Sequence, residues 1–101
     1  MNDDVRLTLV FPPSLEDSVT EALSARADLP GFTLLHAEGH TSDFRTASAS
    51  ERVRGRVQRR VLWMIIARDR VEVALDALRA EVAAHDVRWW LEPVLASGRL
   101  A

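Results

Sequence analysis

His36, Glu38 and His40 stand two residues apart in the run Leu35-His36-Ala37-Glu38-Gly39-His40. If that run is extended, alternate side chains share one face, and both imidazoles and the carboxylate point the same way. Nitrogen and carboxylate donors of this kind suit zinc, copper or nickel, and Asp43 could add a further ligand. The chain has no cysteine, which removes thiolate zinc sites, iron–sulfur clusters, disulfides and a cysteine nucleophile. A divalent transition metal on His36, Glu38 and His40 is therefore one expectation. The competing one is that His36 sits in a contact, Glu38 pairs with an arginine and His40 faces solvent.

Arginine is the second chemical feature. All thirteen basic residues are arginine, and the formal net charge is −2. From Arg45 to Arg60 there are six arginines and one acid, so this stretch carries +5 and the remainder −7. Arg52, Arg54, Arg56 and Arg59 would meet acidic or phosphate-bearing groups on a partner, through the two-pronged contacts that guanidinium makes better than ammonium. Nucleic acid is not the expected partner. The chain as a whole is acidic and lacks the aromatic-and-basic strand signature of RNA-binding modules. Ser14, Ser18 and Ser24 have no histidine–acid arrangement near them in sequence, and neither a P-loop nor a dinucleotide fingerprint is present. No enzymatic activity is expected.

These residues need a frame, and the chain of 101 residues is long enough for one domain, 1–101. With 48% hydrophobic and 28% charged residues it is too apolar to be a disordered tail. Val5, Leu7, Leu9 and Phe11 alternate with Arg6, Thr8 and Val10, which predicts a strand. Pro12-Pro13 ends it. Ser14 with Asp17 reads as a capping box opening a helix over 14–27, with Leu15, Val19, Ala22 and Leu23 on one face. Phe32 to Glu38 reads as a second strand closed by Gly39, and Arg60 to Ala67 as a third, rich in branched and aromatic residues. Asp69 with Glu72 marks a second helix carrying Val71, Leu75, Leu78 and Val82, and Val87 to Leu95 reads as a fourth strand. The order βαββαβ predicts an α+β, ferredoxin-like domain, a four-stranded antiparallel sheet with two helices on one face. A hairpin would suffice between strands two and three, yet a long loop of about 40–59 intervenes, and such loops are usually functional or disordered.

Two helices cover only one face of a sheet. In strand three, Val61, Trp63 and Ile65 point one way and Leu62, Met64 and Ile66 the other. An apolar second face is an aggregation hazard unless covered, so copies of the same chain are expected to pack against it. The longest apolar run, Val61 to Ala67, is far short of the ~20 residues that cross a bilayer. Met1-Asn2-Asp3-Asp4 is acidic and no signal-peptide core follows it. The expectation is a cytoplasmic protein that is not inserted in a membrane.

The run Gly31 to His40 followed by a long loop, then Glu51-Arg52-Val53-Arg54-Gly55-Arg56, the strand from Arg60, Asp86-Val87-Arg88-Trp89-Trp90 and Gly98-Arg99, resembles a small bacterial PII-like family. That family is related to nitrogen-regulatory PII and to CutA-type divalent-cation-tolerance proteins, and the resemblance spans about Val5 to Arg99. It implies a homotrimer with ligands in clefts between subunits, and a loop that contacts a target, often a membrane transporter; members are often associated with RND-type heavy-metal efflux. On this reading Gly39 and His40 at the loop entrance, Arg60 at its exit and Arg99 in the tail would hold an anionic ligand, and the loop arginines would dock on the partner. Where nitrogen-regulatory PII has a glycine-rich turn for nucleotide phosphates, this chain has Ala83-Ala84-His85-Asp86, without glycine and with an acid that would repel phosphate. The usual ATP binding is thus not expected. The chain contains no tyrosine, so control by tyrosine modification is excluded.

Overall fold

Leu7, Leu9 and Phe11 turn the same way from the first strand, and each is almost wholly buried. They form the floor of the core in the computed structural model, which describes residues 3–40, 56–82 and 84–101. The first strand, β1, spans Asp4–Phe11 and is followed by α1 (Glu16–Ser24), β2 (Thr33–His40), β3 (Arg56–Ala67), α2 (Val71–Glu81) and β4 (Arg88–Pro93). The sheet order is β2-β3-β1-β4, and all three pairings are antiparallel. This is the expected ferredoxin-like α+β fold.

Both helices lie on one face. Val19 and Leu23 of α1, with Val71, Ala74, Leu75 and Leu78 of α2, pack in one cluster with Leu7 and Leu9 of β1 and Leu62, Met64 and Ile66 of β3. Burying each such aliphatic side chain contributes about 1.5–3 kcal/mol. The strand patterning follows directly, because each β1 residue is in register with one on β3, Leu7 with Met64 and Leu9 with Leu62. Among the described residues no helix lies over the opposite sheet face.

Several element boundaries differ from those read in the sequence. Ser14 caps nothing: Pro13–Leu15 forms a 3-10 turn and α1 begins at Glu16 without a side-chain cap. The helix also ends at Ser24 rather than at residue 27, where a tightened last turn bonds Arg26 N–H to the Leu23 carbonyl. Asp69 likewise lies in a 3-10 turn, Arg68–Arg70, and α2 starts at Val71 without a side-chain cap. β2 runs through Gly39 to His40 instead of closing at Gly39, and β3 begins at Arg56, four residues before Arg60. The intervening segment is therefore 41–55, not 40–59, and β4 is trimmed to Arg88–Pro93.

An ion-pair cluster ties the turn after α1 to the start of α2. Asp28 accepts from Arg26 Nε and Nη2 at 3.0 and 2.8 Å and from Arg70 Nη2 at 2.6 Å. The Arg26 hydrogen bonds are the largest cause of an Asp28 pKa lowered to about 2, and Arg70 adds to it. No helix among the described residues is long and apolar enough to cross a membrane.

Candidate functional site

β1 stops at Phe11, opposite Arg60, so the first residues of β3 pair with β2 alone. The result is a two-stranded ribbon with His36 opposite Arg60, Glu38 opposite Gln58, Gly39 opposite Val57 and His40 opposite Arg56. Alternation puts His36, Glu38 and His40 on one face with Arg56, Gln58 and Arg60. It is the helix-side face, since Arg60 Nε reaches Glu16 Oε1 of α1 at 2.6 Å.

Glu38 is the hinge of this patch. One carboxylate oxygen lies 3.1 Å from His40 Nε2 and the other 3.5 Å from Arg56 Nη1. All three groups are exposed enough for water to screen these contacts. His36, Glu38 and His40 do share a face, as read from their spacing, but among the described residues no three His, Asp or Glu side chains come together to hold a metal ion. Successive same-face residues on a strand lie about 7 Å apart, too far for one ion to bridge three of them without bending the chain. Asp43 lies outside the described residues.

The anion-binding set is dispersed within one chain. Arg60 is committed to the fold: its side chain is 16% exposed and it joins β3 to the first turn of α1 through Glu16. His40 is four residues along the ribbon from the partner position of Arg60, roughly 13 Å at strand rise. Gly39 points to the opposite face. There the stem of Arg59 lies over it, with Arg59 Cγ 3.2 Å from where a Cβ would stand. Arg99 lies beyond β4, in an exposed tail. Of the docking arginines, Arg56 and Arg59 belong to β3 rather than to a loop, and Arg52 and Arg54 lie outside the described residues.

A cluster that the sequence reading missed sits on the open sheet face. Thr8 of β1 stands in register with Trp63 on β3 and Trp90 on β4, and it is only 1% exposed. Its hydroxyl donates to Glu92 Oε1 at 2.9 Å. The same carboxylate accepts from Trp90 Nε1 and, at 2.5 Å, from Arg6 Nε. The Arg6 guanidinium lies 4.2 Å from the centre of the Trp63 ring, a cation–π contact. Burial pushes the Glu92 pKa up, but the bonds from Trp90, Arg6 and Thr8 together outweigh it and hold the carboxyl below its ordinary value. A carboxylate with three donors is a weak base, so this cluster is built to organise a surface rather than to move protons. The signal available in the sequence was the polar pair Arg6 and Thr8 inside an otherwise apolar strand. Nothing in the sequence disclosed that Glu92 lies opposite Arg6.

The element order, sheet order and the layer of helices among the described residues define a ferredoxin-like α+β domain with a projecting β2–β3 ribbon. The chain belongs to a family described as a protein of unknown function (DUF3240), whose model matches residues 1–101. It is similar in fold to the crystal structure of a DUF3240 family protein from Shewanella baltica OS155, with 20% sequence identity, complete coverage of both chains and a TM-score of 0.79. No curated protein matches it.

Proposed function

We propose that this chain is a PII-like regulatory protein: three copies pack through their open sheet faces, a small anion is held in the clefts between them, and the arginine-rich segment between β2 and β3 signals to an acidic partner. The observation that carries this reading is the sheet face that no described helix covers, where Ile65 is 40% and Trp90 42% exposed beside Val61 and Trp63. A patch of that kind marks an interaction site. The dispersal of Gly39, His40, Arg60 and Arg99 within one chain supports a site completed between copies, with the ribbon of one near the tail of the next. Arg60 would enter such a site already oriented by Glu16.

Arg56 and Arg59, on the ribbon, and Arg52 and Arg54, beyond it, supply the docking charge. The partner that fits the family resemblance is a membrane transporter of the RND heavy-metal efflux type. Signalling is a population shift, in which the ligand favours one arrangement of the arm by its differential affinity for that arrangement. Thermal shift of the full chain against ATP, ADP, cyclic nucleotides, bicarbonate and divalent metals tests the reading. An anion should raise the melting temperature, and Arg99→Ala should abolish the rise; no response to any anion contradicts it.

The Glu38–His40 contact favours a second reading, a CutA-like divalent metal-binding protein in metal tolerance. Further ligands would have to come from Asp43 or from another copy. Zinc titration separates the two: His40→Ala weakens binding if the metal reading holds, and unchanged affinity removes His40 from the site.

A further inference from the structure

Among the described residues the two most exposed large hydrophobic residues are not on the sheet face. They are Leu95, at 93%, and Leu100, at 107%, both in the arm that follows β4. Beside β4 lies a largely apolar cleft of about 140 Å³, lined by Leu75, Leu78, Arg79 and Val82 of the α2 side and by Val87 and Trp89, with Leu9 beneath. That is the size of cavity that takes a benzene-sized apolar group, about 150 Å³.

Among the described residues no strand pairs with the outer edge of β4. β4 is the last strand of the sheet and pairs with β1. Val94 N–H bonds to the Asp4 carbonyl, and the register continues with Arg6 opposite Glu92 and Thr8 opposite Trp90. Antiparallel alternation therefore turns the backbone polar groups of Trp89 and Leu91 outward. Flanking that edge, Trp89 (44% exposed) faces the cleft and Trp90 (42% exposed) faces the open side.

We infer that the C-terminal arm of one copy, residues 94–101, adds to the outer edge of β4 in a second copy. Leu95 and Leu100 are five residues apart, so in an extended arm they point to opposite sides. One leucine fills the cleft beside Trp89 and the other covers Trp90. The chain's own arm is badly placed for this. It leaves β4 at the end it would have to turn back along, and in its own chain no strand forms after Pro93 and both leucines stay exposed. Strand addition to a free edge supplies main-chain hydrogen bonds, while side chains on alternate positions supply the fit. The contact requires a second copy but no ligand; it uses the same tail that carries Arg99 in the sensing reading, and the open-face variant below distinguishes the two.

The test is sedimentation of the full chain and of the Leu95→Asp/Leu100→Asp variant, with tryptophan emission read on the same samples. Both leucines are outside their own fold, so the variant keeps the wild-type circular dichroism. Its dissociation constant should rise about tenfold or more, with a red shift in emission as Trp89 and Trp90 become wetter. Association and emission equal to wild type overturn the inference, and so does a wild-type chain that sediments as a monomer throughout. Ile65→Asp, on the open face, is measured alongside: if it dissociates the protein and the arm variant does not, the arm inference alone fails.

Discussion

Replacing Thr8 by valine removes one hydroxyl from the middle of the open face and little else. Its side chain is 1% exposed and donates to Glu92 Oε1 at 2.9 Å. A hydrogen bond to a charged acceptor is worth about 1.5–3 kcal/mol, and the added methyl recovers up to about 0.8 kcal/mol of apolar burial, so a net loss of about 1–2 kcal/mol is expected. For a domain near 100 residues this lowers the melting temperature by roughly 5–15 °C. The assay is thermal unfolding by circular dichroism at one protein concentration, because association shifts the midpoint by mass action. The pH dependence has a definite sign. Glu92 has a folded pKa below its unfolded one, so its contribution is complete above the unfolded pKa and is lost as pH falls through the folded pKa. Thr8→Val removes one of the donors that depress it, so the gap between the two proteins is widest near neutrality and narrows on the acid side. Equal melting temperatures at neutral pH, or a gap that stays constant through acid, would refute the assignment of Glu92 as the organiser of this face.

Arg60→Ala cuts the half-buried tie from β3 to α1 and should cost about 1 kcal/mol in urea unfolding, whereas Arg99→Ala, in the exposed tail, should change stability by less than about 0.5 kcal/mol. Equal effects would mean that the Glu16 contact contributes nothing. Leu62→Ala empties a fully buried position between both helices and should cost about 2–5 kcal/mol; a smaller loss would place Leu62 outside the core. Asp28→Asn removes a carboxylate whose folded pKa is about 2, so its destabilising effect should be present at neutral pH and fade as pH falls through about 2. A pH-independent effect in thermal unfolding would contradict the Arg26–Asp28–Arg70 cluster.

What the sequence disclosed follows from where the apolar residues are. Leu7, Leu9 and Phe11 alternate because one side of β1 meets helices, and Leu62, Met64 and Ile66 do the same on β3. Strand order and the single helical layer follow from that pattern. The ribbon was harder to read, because beyond Arg60 it meets no helix among the described residues and can be built from histidine, glutamate, glutamine and arginine. Strand and polar loop look alike there. The two capping signals misled for another reason: Ser14 and Asp69 fall in 3-10 turns, where the chain enters the helix one to three residues later. At the candidate site, the shared face of His36, Glu38 and His40 was legible from period two alone. That Glu38 contacts His40 and Arg56, and that Arg60 is held by Glu16, depends on pairing register and helix placement, which no local pattern encodes.

The open face also explains why an apolar surface of this kind carries a polar centre. Thr8 and Glu92, fastened by Arg6 and Trp90, fix the positions of two tryptophans and leave Ile65 and Val61 beside them. A second copy meeting this face would find a rigid rather than a yielding surface, and preorganisation of that sort lowers the entropic cost of association. In the trimer proposed for this chain, other copies cover that face. Light scattering on the purified full chain should then give a mass three times the 11.3 kDa of one chain, and a mass of 11.3 kDa at all concentrations would rule the trimer out.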